Sequence, residues 1–205
     1  MRRRQRSLLS ALVVPAAATL LFAAGCATPV EPPRGPGFLG DASVYDRLTQ
    51  SPRDASIFIL RSGSRTYRDY QMVMLDPVQL FTSDGKQLSA DANSGVLEVT
   101  RMFRDVMNTE VGERYPIVDG PGPKTLRLRT AIVGFDPGDE TMLGLGTGAS
   151  LEAEMVDSMS GERIVAAVAR THGKAAPGRA ARQRAYDAIT YWARLMRDRM
   201  DAARR

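Results

Sequence analysis

Thr125-Leu-Arg-Leu-Arg-Thr-Ala-Ile-Val-Gly-Phe135 alternates leucines at 126 and 128 with arginines at 127 and 129. Successive side chains of an extended chain point to opposite faces, so this period of two predicts a strand with one apolar and one polar side. A glycine-rich loop spans Gly138 to Gly148. Leu151-Glu-Ala-Glu-Met-Val-Asp157 then repeats the alternation, and Ile164-Val-Ala-Ala-Val168 is a third apolar run. Ser158-Met-Ser-Gly161 separates the last two and reads as a hairpin turn. These segments predict three strands of a largely antiparallel sheet.

Upstream, Ser56-Ile-Phe-Ile-Leu60 and Tyr70-Gln-Met-Val-Met-Leu75 are short runs rich in β-branched and aromatic residues, and they predict two more strands. Val78-Gln-Leu-Phe81 continues the second beyond Pro77, which suits an edge or a bulge because proline cannot donate to a ladder. From Ser94 to Val111 the apolar residues Val96, Val99, Phe103 and Val106 fall three and four apart, with Met102 and Met107 beside them. That spacing predicts an amphipathic helix, capped by Ser94 or Asp91 and ended by Gly112. After the turn residues Gly173 to Gly178, a last helix carries the stripe Ala185, Ile189, Trp192 and Met196, with Arg182, Arg194, Arg197 and Arg199 on other faces. The expected fold is α+β: a largely antiparallel or mixed β-sheet of about five strands, with two amphipathic helices packed on one face.

The N-terminus reads as an address. Arg2, Arg3, Arg4 and Arg6 precede an uncharged apolar run from Leu8 to Ala24, which ends in small residues before Cys26. A basic region, an apolar region and a small-residue exit are the parts of a secretory signal, here residues 1–25. Leu21-Phe-Ala-Ala-Gly-Cys26 resembles the lipobox of bacterial lipoproteins. The resemblance implies that Cys26 receives a diacylglycerol and becomes the first residue of the mature chain, anchored to the membrane through that lipid. Ala27 stands where retention at the inner membrane commonly uses Asp, which favours the periplasmic face of the outer membrane. Residues 26–37 form a tether with prolines at 29, 32, 33 and 36. Extended, it would reach roughly 30 Å. Residues 38–205 are then a single globular periplasmic domain.

The chain of 205 residues has one Cys and one His, which excludes an internal disulfide, a multi-cysteine zinc or iron–sulfur site and a His-rich metal centre. Its formal charge of +5 would by itself suggest a nucleic-acid partner. The four signal arginines account for most of it. The mature chain is near neutral, acidic in its body and basic from Arg170 onward. Nucleic acid is therefore not expected. The basic C-terminal helix reads as a docked element whose arginines partly neutralise the acidic body, ahead of a contact to anionic lipid, peptidoglycan or an acidic partner.

Candidate chemistry is sparse. Gly144-Leu-Gly-Thr-Gly-Ala149 matches G-x-G-x-x-A, but a dinucleotide site needs a helix after the glycines, and here a strand pattern comes next. Glu152, Glu154 and Asp157 lie on one strand, where paired carboxylates serve acid–base or Ca²⁺ chemistry. The alternation of the two glutamates with Leu151, Ala153 and Met155 reads more simply as the solvated side of that strand, with Arg127 and Arg129 pairing to them across the sheet. His172 sits in a polar turn, and no G-x-S-x-G elbow supplies a nucleophile. No catalytic, cofactor-binding or metal-binding residue is expected.

Gly37-Phe-Leu-Gly-Asp41, Leu75-Asp-Pro-Val78, Pro121-Gly-Pro with Leu126-Arg-Leu-Arg-Thr-Ala-Ile132, and Leu151-Glu-Ala-Glu-Met-Val-Asp-Ser158 with Gly161-Glu162 resemble bacterial lipoproteins classed as domain of unknown function 3313. The resemblance implies one periplasmic lipoprotein domain and brings no catalytic residues with it. The order of strands and helices is also similar to that of auxiliary lipoproteins of ABC transport systems, at the level of fold alone. The expected role is a non-enzymatic binding or accessory domain in the cell envelope, with the membrane and an envelope protein as partners. The alternatives are an auxiliary subunit of an envelope ABC transport system and, behind it, a carboxylate-based envelope enzyme. Cys26→Ser should abolish metabolic labelling of the protein by a fatty acid, and unchanged labelling would overturn the anchor.

Overall fold

The computed structural model describes residues 38–62, 65–89, 94–139, 143–146, 149–170 and 180–204. Residues 1–37, which include the expected signal, Cys26 and the expected tether, lie outside them, as do Asp91 and His172. In chain order the elements are α1 (Ala42–Asp46), β1 (Thr49–Ser51), β2 (Asp54–Arg61), a 3-10 turn (Tyr67–Asp69), β3 (Met72–Leu75), β4 (Gln79–Phe81) and β5 (Gln87–Leu88), then α2 (Ser94–Gly112), β6 (Ile117–Val118), β7 (Thr125–Val133), β8 (Ser150–Asp157), β9 (Arg163–Arg170) and α3 (Ala181–Arg204).

One mixed sheet runs in the order β1-β2-β9-β8-β7-β3-β6. Along the order from β1 to β7 every pairing is antiparallel, and β7, β8 and β9 form a central meander that contains the expected β8–β9 hairpin. β3 and β4 both lie parallel to β7, the first against Thr125–Leu128 and the second against Ala131–Val133. They act as one strand interrupted at Asp76-Pro77-Val78, where proline removes a ladder donor. The fold class is α+β with a mixed sheet, but among the described residues it has nine strands, not about five, and three α-helices, not two. β1, β4, β5 and β6 are two or three residues long, too short for an alternation to stand out from loop sequence.

The helices divide between the two faces of the sheet. α2 and α3 cover one face, where Val99, Phe103, Ile189 and Trp192 pack with Leu126, Leu128, Leu151 and Val165 in one core. The expectation of two helices on one face holds for this pair. α1 belongs to the other face: Leu39, Val44, Tyr45 and Leu48 form a second cluster with Phe58, Ala166 and Val168, whose side chains alternate with those of the first core.

α3 docks through its apolar stripe, with Trp192, Ile189 and Ala185 fully buried. Its arginines meet the acids of α2. Arg182 lies 3.3 Å from Glu98, Arg194 2.9 Å and Arg197 2.7 Å from Glu110, and Arg197 3.2 Å from Glu113. The basic end thus compensates the acidic body by direct contact. Gly144 has φ +84, and a Cβ there would come within 2.4 Å of the Phe135 ring, so only glycine fits.

The two ends of the α2–α3 contact should differ in weight. Glu110 is buried between two guanidinium groups, whereas Arg182 is exposed and Glu98 partly so. Glu110→Gln should cost about 1–3 kcal/mol in thermal unfolding, because two charged donors lose their charged acceptor. Glu98→Gln should cost less than about 0.5 kcal/mol, as exposed pairs do. Equal losses would show that burial does not set the strength of this contact.

Candidate functional site

The alternation along β8 puts its carboxylates in solvent, and the structure corrects this. They are buried: Glu152 is 1%, Glu154 2% and Asp157 4% exposed. Strand β8 is covered on both faces, by the helices on one side and by the 38–48 segment on the other. The alternation of Glu with Leu and Ala is therefore real, but the side that carries the acids has its own cover.

Each acid is occupied. The Tyr45 hydroxyl donates to Glu152 Oε2 at 2.7 Å and accepts from the Leu39 amide at 3.3 Å. Burial pushes the Glu152 carboxyl up to about 7, with the Tyr45 hydrogen bond acting in the opposite direction. Glu154 sits between two arginines. Arg129, its cross-strand partner, reaches Oε1, and Arg163 Nη2 lies 2.7 Å from Oε2. The pairing of Arg129 with a β8 glutamate is the one anticipated from the alternation. Arg127 instead makes a bidentate pair with Asp76 at 2.9 and 2.8 Å, in the gap between β3 and β4. Arg163 also donates to the Leu39 carbonyl at 2.6 Å, which ties the N-terminal segment onto the row. Asp157 is held by the turn, whose Ser160 amide and hydroxyl lie 2.7 and 2.9 Å from Oδ1, while Arg65 and Tyr70 bind Oδ2 at 2.5 and 3.1 Å. Those bonds, the Ser160 amide foremost, hold its carboxyl below the usual range. The three acids serve the fold, each through contacts within the domain.

The open site lies elsewhere. β1 pairs with β2 only up to Ile59, and beyond that point the edge of β2 borders a cleft of about 900 Å³. Arg47 and Arg53 come from the chain flanking β1, Arg61 and Arg65 from the end of β2 and the segment after it, and Arg199 from the C-terminal part of α3. Among the described residues no acidic side chain lines it. Arg65 is committed to Asp157 and lies 3.6 Å from Glu162. Arg199 donates to the Ser51 hydroxyl at 3.0 Å and Arg47 to the Ser43 carbonyl at 3.2 Å. Among the described residues, Arg47, Arg53, Arg61 and Arg199 have no carboxylate partner. Tyr67 lies at the inner wall. Burial raises its phenol to about 12, and Arg61 and Arg199 draw it back. Guanidinium groups with donors to spare, of which among the described residues only Arg65 has a carboxylate within 4 Å and Arg47 feels the charge of Asp41, make this a place for an anion, since each presents a planar fork matched to carboxylate or phosphate. Sequence reading passed over it because its five arginines are scattered from position 47 to 199. The run from Arg61 to Arg68, with three arginines and no acid, was the one local sign.

Two motifs singled out in the sequence resolve simply. Gly144 and Leu145 are packed under the sheet, and β8 rather than a helix begins at Ser150, so the G-x-G-x-x-A match has no helix N-terminus to hold a pyrophosphate. Among the described residues no group of three or more His, Cys, Asp or Glu side chains is arranged to hold a metal, and no helix is long and apolar enough to cross a membrane.

The profile of the family described as "Protein of unknown function (DUF3313)" matches residues 36–196, and the chain belongs to that family. No curated protein matches it. Among solved structures it is similar to a DUF4136 family protein from Bacteroides thetaiotaomicron, with 11% identity and a TM-score of 0.41, over 76% of this chain and 97% of that one. It is also similar to the PelC dodecamer from Paraburkholderia phytofirmans, with 10% identity and a TM-score of 0.41, over 69% of this chain and 96% of that one.

Glu152 gives the fold a testable pH dependence. Its carboxyl is raised in the folded state to about 7 from 4.5, so folding favours the protonated form. The folded state therefore has its full stability from this group below pH 4.5 and loses it as pH rises to about 7, by at most about 3 kcal/mol. Glu152→Gln removes that loss and keeps an acceptor for Tyr45. The variant should melt close to the parent at about pH 4 and clearly above it at about pH 8. A difference that does not change with pH would show that Glu152 ionises normally.

Proposed function

We propose that this member of the DUF3313 family is a lipid-anchored cell-envelope protein, held through Cys26 at the periplasmic face of the outer membrane. Its domain is a non-enzymatic binding or accessory module, and the arginine-lined cleft beside β1 and β2 is where it binds an anionic group. The observation that carries this reading is the set of four guanidinium groups around one cleft with no carboxylate partner among the described residues. Like charges gathered at one place repel, and an anion that seats among them relieves that repulsion while accepting bidentate hydrogen bonds.

The signal and lipobox pattern supports the location, and residues 26–37 provide the tether between lipid and domain. The commitment of Glu152, Glu154 and Asp157 to buried contacts supports a binding role over carboxylate chemistry. A second reading, an auxiliary subunit of an envelope ABC transport system, is favoured by the apolar slot that shares a wall with the same cleft.

Calorimetry with inorganic pyrophosphate tests the cleft. Binding should saturate at one site and weaken as salt is raised, because exposed charges are screened over about 8–10 Å at moderate ionic strength. Arg53→Ser combined with Arg61→Ser should lower affinity about tenfold or more without lowering the melting temperature, since neither arginine has a carboxylate partner to lose. Absence of saturable binding, or binding indifferent to those substitutions, would overturn the reading.

A further inference from the structure

Beside the cleft lies a narrower apolar slot of about 60 Å³ between the sheet and α3, and the two share a wall made of Ile59, Arg61, Tyr67, Val165 and Arg199. The cause of the slot is visible in the register. Ala153 on β8 stands opposite Ala167 on β9, and Ala167 stands opposite Ile59 on β2. In neighbouring rows of the same face Met155 pairs with Val165, so two small side chains at the centre leave a trough beneath the helix. Trp192, Leu195 and Met196 of α3 roof it. Trp192 is fully buried, and its indole N–H has no acceptor among the described residues. A buried donor left unpaired is costly and usually marks a missing partner.

We infer that cleft and slot together bind one phosphate-bearing acyl lipid, its head group among the arginines and the end of an acyl chain in the trough between the sheet and α3. The inference rests on the reading of the cleft as an anion site and adds the nature of the ligand. Several uncompensated guanidinium groups exceed what a single carboxylate satisfies, whereas a phosphate offers three acceptor oxygens and up to two charges. The slot holds about four methylene-sized groups, and its walls are almost entirely apolar. An inorganic anion leaves that space unfilled, and an uncharged alkane leaves the arginines uncompensated. An anionic lipid meets both demands.

Trp192 is the single tryptophan of the chain, so its fluorescence reports directly on the slot. The full chain carrying Cys26→Ser is titrated with inorganic phosphate, butyl, hexyl, octyl and decyl phosphate, and uncharged decyl maltoside, all below micelle formation. Affinity should rise with chain length up to the capacity of the slot, with decyl phosphate binding at least about tenfold more tightly than either inorganic phosphate or decyl maltoside. Ala167→Leu should remove the chain-length gain and leave inorganic phosphate binding in place. The alkyl series on the chain with Ala167 intact carries the test should that variant fail to fold. Equal affinity for inorganic and decyl phosphate overturns the lipid while leaving the anion site standing. Decyl maltoside binding as tightly as decyl phosphate overturns the role of the arginines in holding the head group. Failure of every phosphate to bind removes the anion site and the lipid together.

Discussion

Two glutamates buried near the middle of a sheet impose the strongest demand on this structure. Glu152 and Glu154 lie on β8, between β7 and β9, and neither reaches solvent. A buried carboxylate must be neutralised or paired, because the low-dielectric interior penalises the charged form heavily. The two residues meet the demand differently. Glu154 keeps its charge partners in Arg129 and Arg163, and Glu152 is pushed toward its neutral form and takes one hydroxyl. Both solutions recruit the N-terminal segment, through Tyr45 to Glu152 and through the Leu39 carbonyl to Arg163. The cover on that face of the sheet and the acids beneath it depend on each other.

The opposite face is organised by apolar packing, with charge arranged around it. The buried stripe of α3 seats on the sheet and on α2, and its arginines engage Glu98, Glu110 and Glu113. Arg199 sits further along the same helix, without an acidic partner among the described residues, at the mouth of the cleft. One helix thus carries arginines paired with carboxylates and an arginine that donates to the Ser51 hydroxyl beside the cleft. The difference lies in what α2 offers along its length, since its last turn ends at Gly112. The trough below α3 comes from two alanines meeting across β8 and β9, so cleft and slot are products of the same helix lying over the same strands.

Much of the architecture was legible from periodicity. β7, β8, β9, the hairpin between the last two, both long helices and the interruption at Pro77 were all readable, because each rests on local residue order and backbone chemistry. The Arg129–Glu154 pair was readable as well, since alternation across adjacent strands limits which side chains can meet. The short strands were not, for they exist only where neighbouring strands hold them. The alternation of Glu152 and Glu154 predicts exposure, and both are buried. A polar face that alternates with an apolar one normally faces water, and nothing local announced that residues 38–48 return over it.

The sequence by itself determined the class of the fold, the identity of its central strands, the amphipathic faces of α2 and α3 and the export-signal pattern, because these depend on spacing and composition over a few residues. Only the tertiary structure decided which charges are compensated. Arg129, Arg163, Arg194 and Arg197 find carboxylates, while Arg47, Arg53, Arg61 and Arg199 surround a cleft whose described lining contains none. The interaction of two charges depends on their separation in space and on the dielectric between them, and side chains as distant in the chain as Arg47 and Arg199 come together there only when it has folded.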